Sequence, residues 1–160
     1  MKTLVVYDSQ FGNTKRIAQV IADTLRPFGQ AQAVRVDLDR SFKFQGVDLL
    51  IVGSPTQGFR PTPVMQAFLG NIPRESLSGL AVACFDTRFR GFLWKNSAAP
   101  RMARQLRTLG VEAIIPPESF FVKAMKAEGP LLAGEVERAA SWALDVHQQY
   151  ETQEAHLAAH

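Results

Sequence analysis

The chain is poor in the residues that staple small proteins or hold metals. Across 160 residues it has one cysteine, Cys84, and three histidines, all after residue 146. A single cysteine permits no internal disulfide and no zinc site built on several thiolates. Tyrosine and tryptophan occur twice each, so eleven phenylalanines carry the aromatic content. No apolar run approaches the roughly 20 residues of a membrane helix, and Leu4-Val5-Val6-Tyr7 falls short of the about 7–15 residues of a secretory core. Excess charge is scarce too. Lys plus Arg number 18 against 15 Asp plus Glu, a formal +3, which indicates a polyanion surface only if it is clustered. The expectations are a cytoplasmic chain, no membrane insertion and no nucleic-acid partner.

What is present suits a folding domain. At 46% hydrophobic and 21% charged, the chain has the composition of one domain that buries roughly two thirds of its extended surface. Leu4 to Tyr7 reads as a strand, followed from Asn13 by Ile17, Val20, Ile21, Leu25 and Phe28 at helical spacing, with Gly29 as the stop. Ala33 to Leu38 alternates as a strand does, and Leu49-Leu50-Ile51-Val52 is apolar throughout, as in a central parallel strand. A helix is expected near Pro61 to Pro63, with Val64, Phe68 and Leu69 inward, then a buried strand over Leu80 to Phe85. Met102, Leu106 and Leu109 stripe a helix from Pro100 to Leu109. Val111 to Ile115 and Ser119 to Val122 read as one strand broken by Pro116-Pro117, which suits an edge. A last helix spans Gly134 to Tyr150, with Val136, Ala140, Ala143 and Val146 or His147 inward.

Strands alternating with helices predict an α/β three-layer sandwich around a five-stranded parallel sheet. Residues 1–148 form the expected domain and 149–160 a polar tail. His156 and His160 lie at i and i+4, but nothing in a frayed solvent-facing tail would hold a metal site rigid. In such sheets ligands bind beyond the carboxyl ends of the strands, so the loops there carry the functional reading.

Asp8-Ser9-Gln10-Phe11-Gly12-Asn13-Thr14 joins the first strand to the first helix. Two hydroxyls, a flexible glycine and the N–H groups of a helix start make an anion pocket built on neutral donors. The fingerprints G-x-G-x-x-G and G-x-x-x-x-G-K-[ST] are both absent. Ser9 to Thr14 after a first strand resembles the phosphate-binding signature of the flavodoxin family. Val52-Gly53-Ser54-Pro55-Thr56-Gln57-Gly58 resembles its second flavin loop, and Gly129-Pro130-Leu131 with Gly134 to Ala139 and Trp142-Ala143 resembles the approach to its last helix. The likeness runs from about Met1 to Val146 and is that of a short-chain form.

The resemblance implies the sheet order 2-1-3-4-5 and FMN as cofactor. Its phosphate would lie on Ser9, Gln10, Phe11, Gly12, Asn13 and Thr14. The ring would lie between Pro55, Thr56, Gln57, Gly58 and Phe59 on one side and Phe85, Asp86, Thr87, Arg88, Phe89 and Trp94 on the other. Gly58 would lie near flavin N5, where a glycine peptide reorients its carbonyl at little steric cost, and Phe59 is the stacking candidate there. The third loop lacks the family's usual tyrosine, so Phe89, Phe92 or Trp94 substitutes or that face is open. Backbone groups of Asp86 and Thr87 would contact the pyrimidine edge.

Cys84 sits in a buried strand with no histidine or helix start nearby to lower its pKa, so it is no nucleophile. The acyl-transfer sequence G-x-S-x-G is missing, and Gly53-Ser54 stands where a phosphorylation receiver needs an aspartate. The implied function is therefore electron transfer between redox partner proteins by a monomer or weak dimer. The alternatives are an FMN-dependent NAD(P)H:quinone-type reductase and a flavin-free interaction module of the same fold. Arg101, Arg104 and Arg107 recur at steps of three, either as a solvated helix face or as a docking stripe for an acidic partner. Around the implied flavin, Arg60, Arg88, Arg90 and Lys95 face only Asp86. Cations there favour an anionic reduced flavin. The second reduction potential should therefore be less negative than that of an acidic relative, and a redox titration that returns an equally low value would overturn this expectation.

Overall fold

Runs of β-branched and leucine residues form the strands, and loops rich in Gly, Pro, Asp and Ser separate them from the helices. The computed structural model describes residues 1–91, 96–123 and 129–160. The strands are β1 Lys2–Tyr7, β2 Gln30–Arg35, β3 Leu49–Pro55, β4 Ala81–Phe89 and β5 Glu118–Val122. All pair in parallel, in the order β2-β1-β3-β4-β5, as the sequence implies. β3 is buried at every position, as a central strand covered on both faces must be.

Four helices cover this sheet: α1 Asn13–Leu25, α2 Pro63–Gly70, α3 Ala98–Thr108 and α4 Glu135–Ala158. Alternate residues of each strand feed the two cores. Val5, Tyr7, Ile51, Ala83 and Phe85 face α1 and α4, whereas Val6, Val52, Val82 and Cys84 face α2 and α3. Each helix buries an apolar stripe, such as Ile17, Ile21 and Leu25 in α1 and Met102 and Leu106 in α3.

Several elements differ from the sequence reading, each for a local reason. No helix links β2 to β3. That connection runs over residues 36–48, and Phe44 and Phe42 take the place of a helix against α2, the Phe42 ring meeting Phe68 edge-on at 5.0 Å. β2 begins and ends three residues early, because the Asp37 carboxylate accepts the Asp39 N–H at 3.0 Å and turns the chain. Leu38 is left exposed.

β4 continues to Phe89, so Asp86 and Thr87 are strand residues rather than loop residues. Of the residues before Pro116-Pro117, Ala113 makes a lone parallel bridge to Val82, and β5 proper starts at Glu118. In α2, Met65 takes the buried place expected of Val64. In α4 the stripe is Ala139, Trp142, Ala143 and Val146, one residue out of step at its start from the expected Val136 and Ala140. The helix also runs past Tyr150 to Ala158, with residues 151–160 exposed. No helix among the described residues is long and apolar enough to cross a membrane.

Gly53 makes the floor of the edge possible. A Cβ on it would lie 2.1 Å from Cζ of Phe85, so the missing side chain lets the Phe85 ring lie across β3. That ring meets Phe120 at 6.1 Å and Trp142 at 6.2 Å, edge to face. Gly53→Ala must displace the ring, at about 1–3 kcal/mol as for other overpacked cores. A fall in the urea midpoint is expected, and an unchanged midpoint would show that the ring has room to move.

Candidate functional site

β1, β3 and β4 all end at one edge, where three loops converge. The first loop is held by its own polar groups. Asp8 is 7% exposed, and its Oδ1 accepts the Ser9 N–H at 2.8 Å. Its Oδ2 accepts the Thr62 hydroxyl at 2.6 Å. Ser9 Oγ accepts the N–H of Gly12 at 3.1 Å and of Lys15 at 3.3 Å. Gly12 takes φ +94°, and a Cβ there would meet no atom within 4 Å. Backbone conformation demands glycine, and the space over it is open.

α1 therefore starts with no acidic residue in its first turn and with Lys15 and Arg16 exposed. The starts of the other helices are compensated. The Thr62 hydroxyl accepts the Met65 N–H of α2 while donating to Asp8. Asp86 Oδ2 accepts the Ala99 N–H of α3 at 2.8 Å, and Glu135 and Glu137 occupy the first turn of α4. The positive end of the α1 dipole is the one left for an anion.

The six residues of the expected phosphate loop do lie together, but not all are alike. Gln10, Phe11 and Gly12 are exposed, whereas Thr14 is buried and its hydroxyl pairs with that of Thr87 at 2.7 Å. The Asn13 amide donates to the Gly129 carbonyl at 2.7 Å, bringing the approach to α4 against the first loop.

The second loop is a tight turn. Gln57 and Arg60 exchange both backbone hydrogen bonds, at 2.8 and 3.0 Å, around Gly58 at φ +52° and Phe59 at φ +66°. The Gln57 amide donates to the Gln10 side chain, tying the second loop to the first. Pro55 is buried at the end of β3, and Thr56 Oγ1 accepts the Ala98 N–H at 3.0 Å. Open space lies over Gly58 as over Gly12. The open cradle at Gly12, the neutral donors and the uncompensated helix start fit an FMN phosphate.

The third loop needs the most correction. The Phe85 side chain belongs to the core beneath the site and is fully buried. Asp86 is fully buried as well, on the α3 side. Thr87 spends its carbonyl on the Thr56 N–H at 2.9 Å and its hydroxyl on Thr14. Arg88 turns inward. Its Nε donates to Ser119 Oγ at 3.1 Å and lies 3.9 Å from Asp86, and its guanidinium stacks over Phe121. Phe89 reaches solvent at 42% exposure. Trp94, Phe92 and Lys95 lie outside the described residues. Of the expected four cations against one carboxylate, the described residues leave two exposed, Arg60 and Arg90.

α3 does not present three free arginines. Arg101 is half-buried and Arg107 pairs with Glu112 at 2.9 Å, which leaves Arg104 exposed between them. Cys84 is buried, and burial, with the neighbouring Asp86 charge, pushes its thiol well above the usual range. Sequence reasoning missed the roles of Asp8 as partner of Thr62, of Asp86 as acceptor of the α3 Ala99 N–H, and of Glu135. Glu135 is 3% exposed and accepts the Phe121 N–H at 2.8 Å and Arg138 at 2.6 Å. A carboxylate among apolar residues at a strand end was the available signal.

The flavodoxin-domain family profile matches residues 4–107. Probable flavodoxin 1 of Bacillus subtilis is 33% identical over 89 residues, 54% of this chain and 56% of that relative. The match thus spans little more than half of that protein. Among solved structures, Flavodoxin 2 of Bacillus cereus superposes with a TM-score of 0.72 at 22% identity, covering 93% of this chain and 99% of that one. The rubredoxin oxygen:oxidoreductase of Desulfovibrio gigas gives 0.73 at 18% identity, covering 96% of this chain and 37% of that one. At such identities the superpositions show the fold. By the profile match, the chain belongs to the flavodoxin family, whose cofactor is FMN.

The Asp86 carboxyl is pushed up by burial, against the opposing effects of the Ala99 N–H, the Ser97 and Ser119 hydroxyls and Arg88. A carboxyl raised in the folded state contributes stability at low pH, which is lost as pH rises through its folded value. Asp86→Asn keeps an oxygen for Ala99 and carries no buried charge. Its unfolding midpoint should decline less than that of the native chain as pH rises from the ordinary carboxylate range toward neutrality. A steeper decline in denaturant melts would show that the ionised form stabilises the fold.

Proposed function

We propose that this chain is an FMN electron carrier that passes electrons between redox partner proteins. The observation that carries the reading is the start of α1. It has no acidic residue in its first turn and open space over Gly12, while the start of α3 is met by the Asp86 carboxylate and that of α2 by Thr62, itself bound to Asp8. Ser9 to Thr14 would hold the phosphate. Ser9 Oγ accepts two backbone N–H groups, which leaves its own proton to donate to an anion.

Pro55 to Phe59 and the end of β4 at Arg88-Phe89 would flank the ring, with Phe59 and Phe89 as the exposed aromatic candidates. Thr87 and Asp86 support it from below by fixing the starts of α1 and α3. FMN, when bound, supplies electron transfer, and the protein positions it and sets its electrostatic surroundings. No protein acid or base is required.

The purified chain should show a flavin spectrum, release FMN on denaturation and quench the fluorescence of added FMN. Ser9→Ala should weaken FMN by about tenfold, the loss of one hydrogen bond to a charged group. A colourless chain that leaves FMN fluorescence untouched would overturn the proposal. Steady NAD(P)H turnover with a quinone by the chain alone would move it to the reductases.

A further inference from the structure

The carboxyl edge sorts its charges by sign. Its buried carboxylates Asp8, Asp86 and Glu135 are 7%, 0% and 3% exposed, and all are spent within the fold, on backbone N–H groups and on Arg35, Arg88 and Arg138. Its described cations Lys15 and Arg16 in α1, Arg60 after the second loop, Arg90 after β4 and Lys123 after β5 are exposed, whereas Arg35 at the end of β2 is exposed but bound to Asp8 Oδ1 at 3.3 Å and to the Ser9 carbonyl at 2.8 Å. Among the described residues the exposed acids at the same edge are Asp37, Asp39 and Glu137, and Asp37 is held by Arg40 at 3.5 Å. The outward face of the site is therefore basic, although the whole chain carries only +3.

Among the described residues the same edge exposes three large aromatic side chains: Phe11 at 47%, Phe59 at 52% and Phe89 at 42%. Arg60 follows Phe59 and Arg90 follows Phe89 in the chain, and the Arg90 guanidinium lies over the Phe121 ring at 5.1 Å. Aromatic residues surrounded by arginines make the composition of a protein-docking centre. The arginine face of α3 is a poorer candidate, with Arg101 half-buried and Arg107 neutralised by Glu112.

We infer that the phenylalanines Phe11, Phe59 and Phe89, with the cations around them, form a docking surface for an acidic redox protein. The inference rests on the FMN-carrier reading, because docking there brings the partner to the flavin. Long-range attraction accelerates association and is screened by salt, so the surface would capture acidic partners quickly and release them at raised ionic strength.

Two measurements test it. In the first, the reduced FMN-loaded protein is oxidised by ferricyanide, an anion, or by tris(phenanthroline)cobalt(III), a cation. Each metal ion takes one electron, and the flavin's protons leave to water. The ferricyanide rate should fall with added salt and the cobalt rate should rise. The triple variant Arg16→Glu, Arg60→Glu, Arg90→Glu should invert both slopes, whereas Arg104→Glu, Arg107→Glu should change neither. Slopes unmoved by the triple variant, or moved equally by the α3 variant, would overturn the inference.

The second needs no flavin and so separates this inference from the FMN reading. A fluorescently labelled oligoglutamate should bind the native chain and lose about tenfold or more in affinity to the triple variant. Phe89→Ala should weaken a peptide alternating Glu with Leu more than it weakens oligoglutamate. Equal binding by the native chain and the triple variant would overturn the inference. So would tighter capture of a single-stranded oligonucleotide through the same residues.

Discussion

At the carboxyl ends of β1, β3 and β4, buried polar side chains take hold of helix starts, and the shape of that edge depends on these clasps. Asp8 holds Thr62, which caps α2, and Ser54 Oγ accepts the Thr62 N–H at 3.0 Å. Asp86 holds Ala99 of α3, and Thr87 holds Thr14 of α1. A buried polar group is costly unless paired. Each clasp therefore removes two costs, that of a side chain taken from water and, for the N–H groups bound, that of the helix donor it meets. The loops between these fixed points are short and inherit their positions. α1 is the exception in charge. Its start is met by hydroxyls alone, and the dipole that the fold neutralises elsewhere stays available there.

The same clasps determine the sign of the surface. Asp8, Asp86 and Glu135 are drawn inward by the backbone and hydroxyl groups they bind, while long cationic side chains such as Lys15 and Arg60 keep their heads in water. Arg88 is the instructive exception, because it turns in over Phe121 beside Asp86. Its charge is spent within the fold, and Arg60 carries the sign outward with Arg90, which is exposed although it too lies over Phe121 at 5.1 Å. A net charge of +3 is thus a poor guide to what a partner meets. Burial of one sign at one edge matters more than the sum over the chain.

Much of this was legible in the sequence, and the division is physical. The order of elements could be read because strand and helix periodicities are local, and Ser9 to Thr14 could be read because its residue types and spacing are contiguous in the chain, although Asn13 and Thr14 reach Gly129 and Thr87. The clasps could not. Asp8 meets Thr62 and Asp86 meets Ala99, pairings that exist only once the sheet has formed. Phe85 reads as a flavin contact because nothing local reveals that Gly53, on the neighbouring strand, leaves room for its ring in the core. The β2–β3 connection misled in the opposite sense. Alternating strands and helices are the rule of the fold class, yet Phe42 and Phe44 cover that part of the sheet without a helix.

Phe59 shows how the second loop trades stability for a side chain. A turn with two consecutive left-handed residues is most at ease with glycine or asparagine, and this one places glycine at 58 and phenylalanine at 59. Holding a phenylalanine there costs about 1–2 kcal/mol relative to its right-handed conformations. The two Gln57–Arg60 hydrogen bonds and the Gln57–Gln10 contact impose the geometry regardless. The ring recovers none of that cost in the core, since half of it faces solvent. Glycine at 59 would relieve the strain, so fold stability gives no reason for an aromatic at this position. A planar group lying against the ring does give one, whether flavin or the apolar part of a docked partner. The strain itself is therefore an argument that this edge is built for contact.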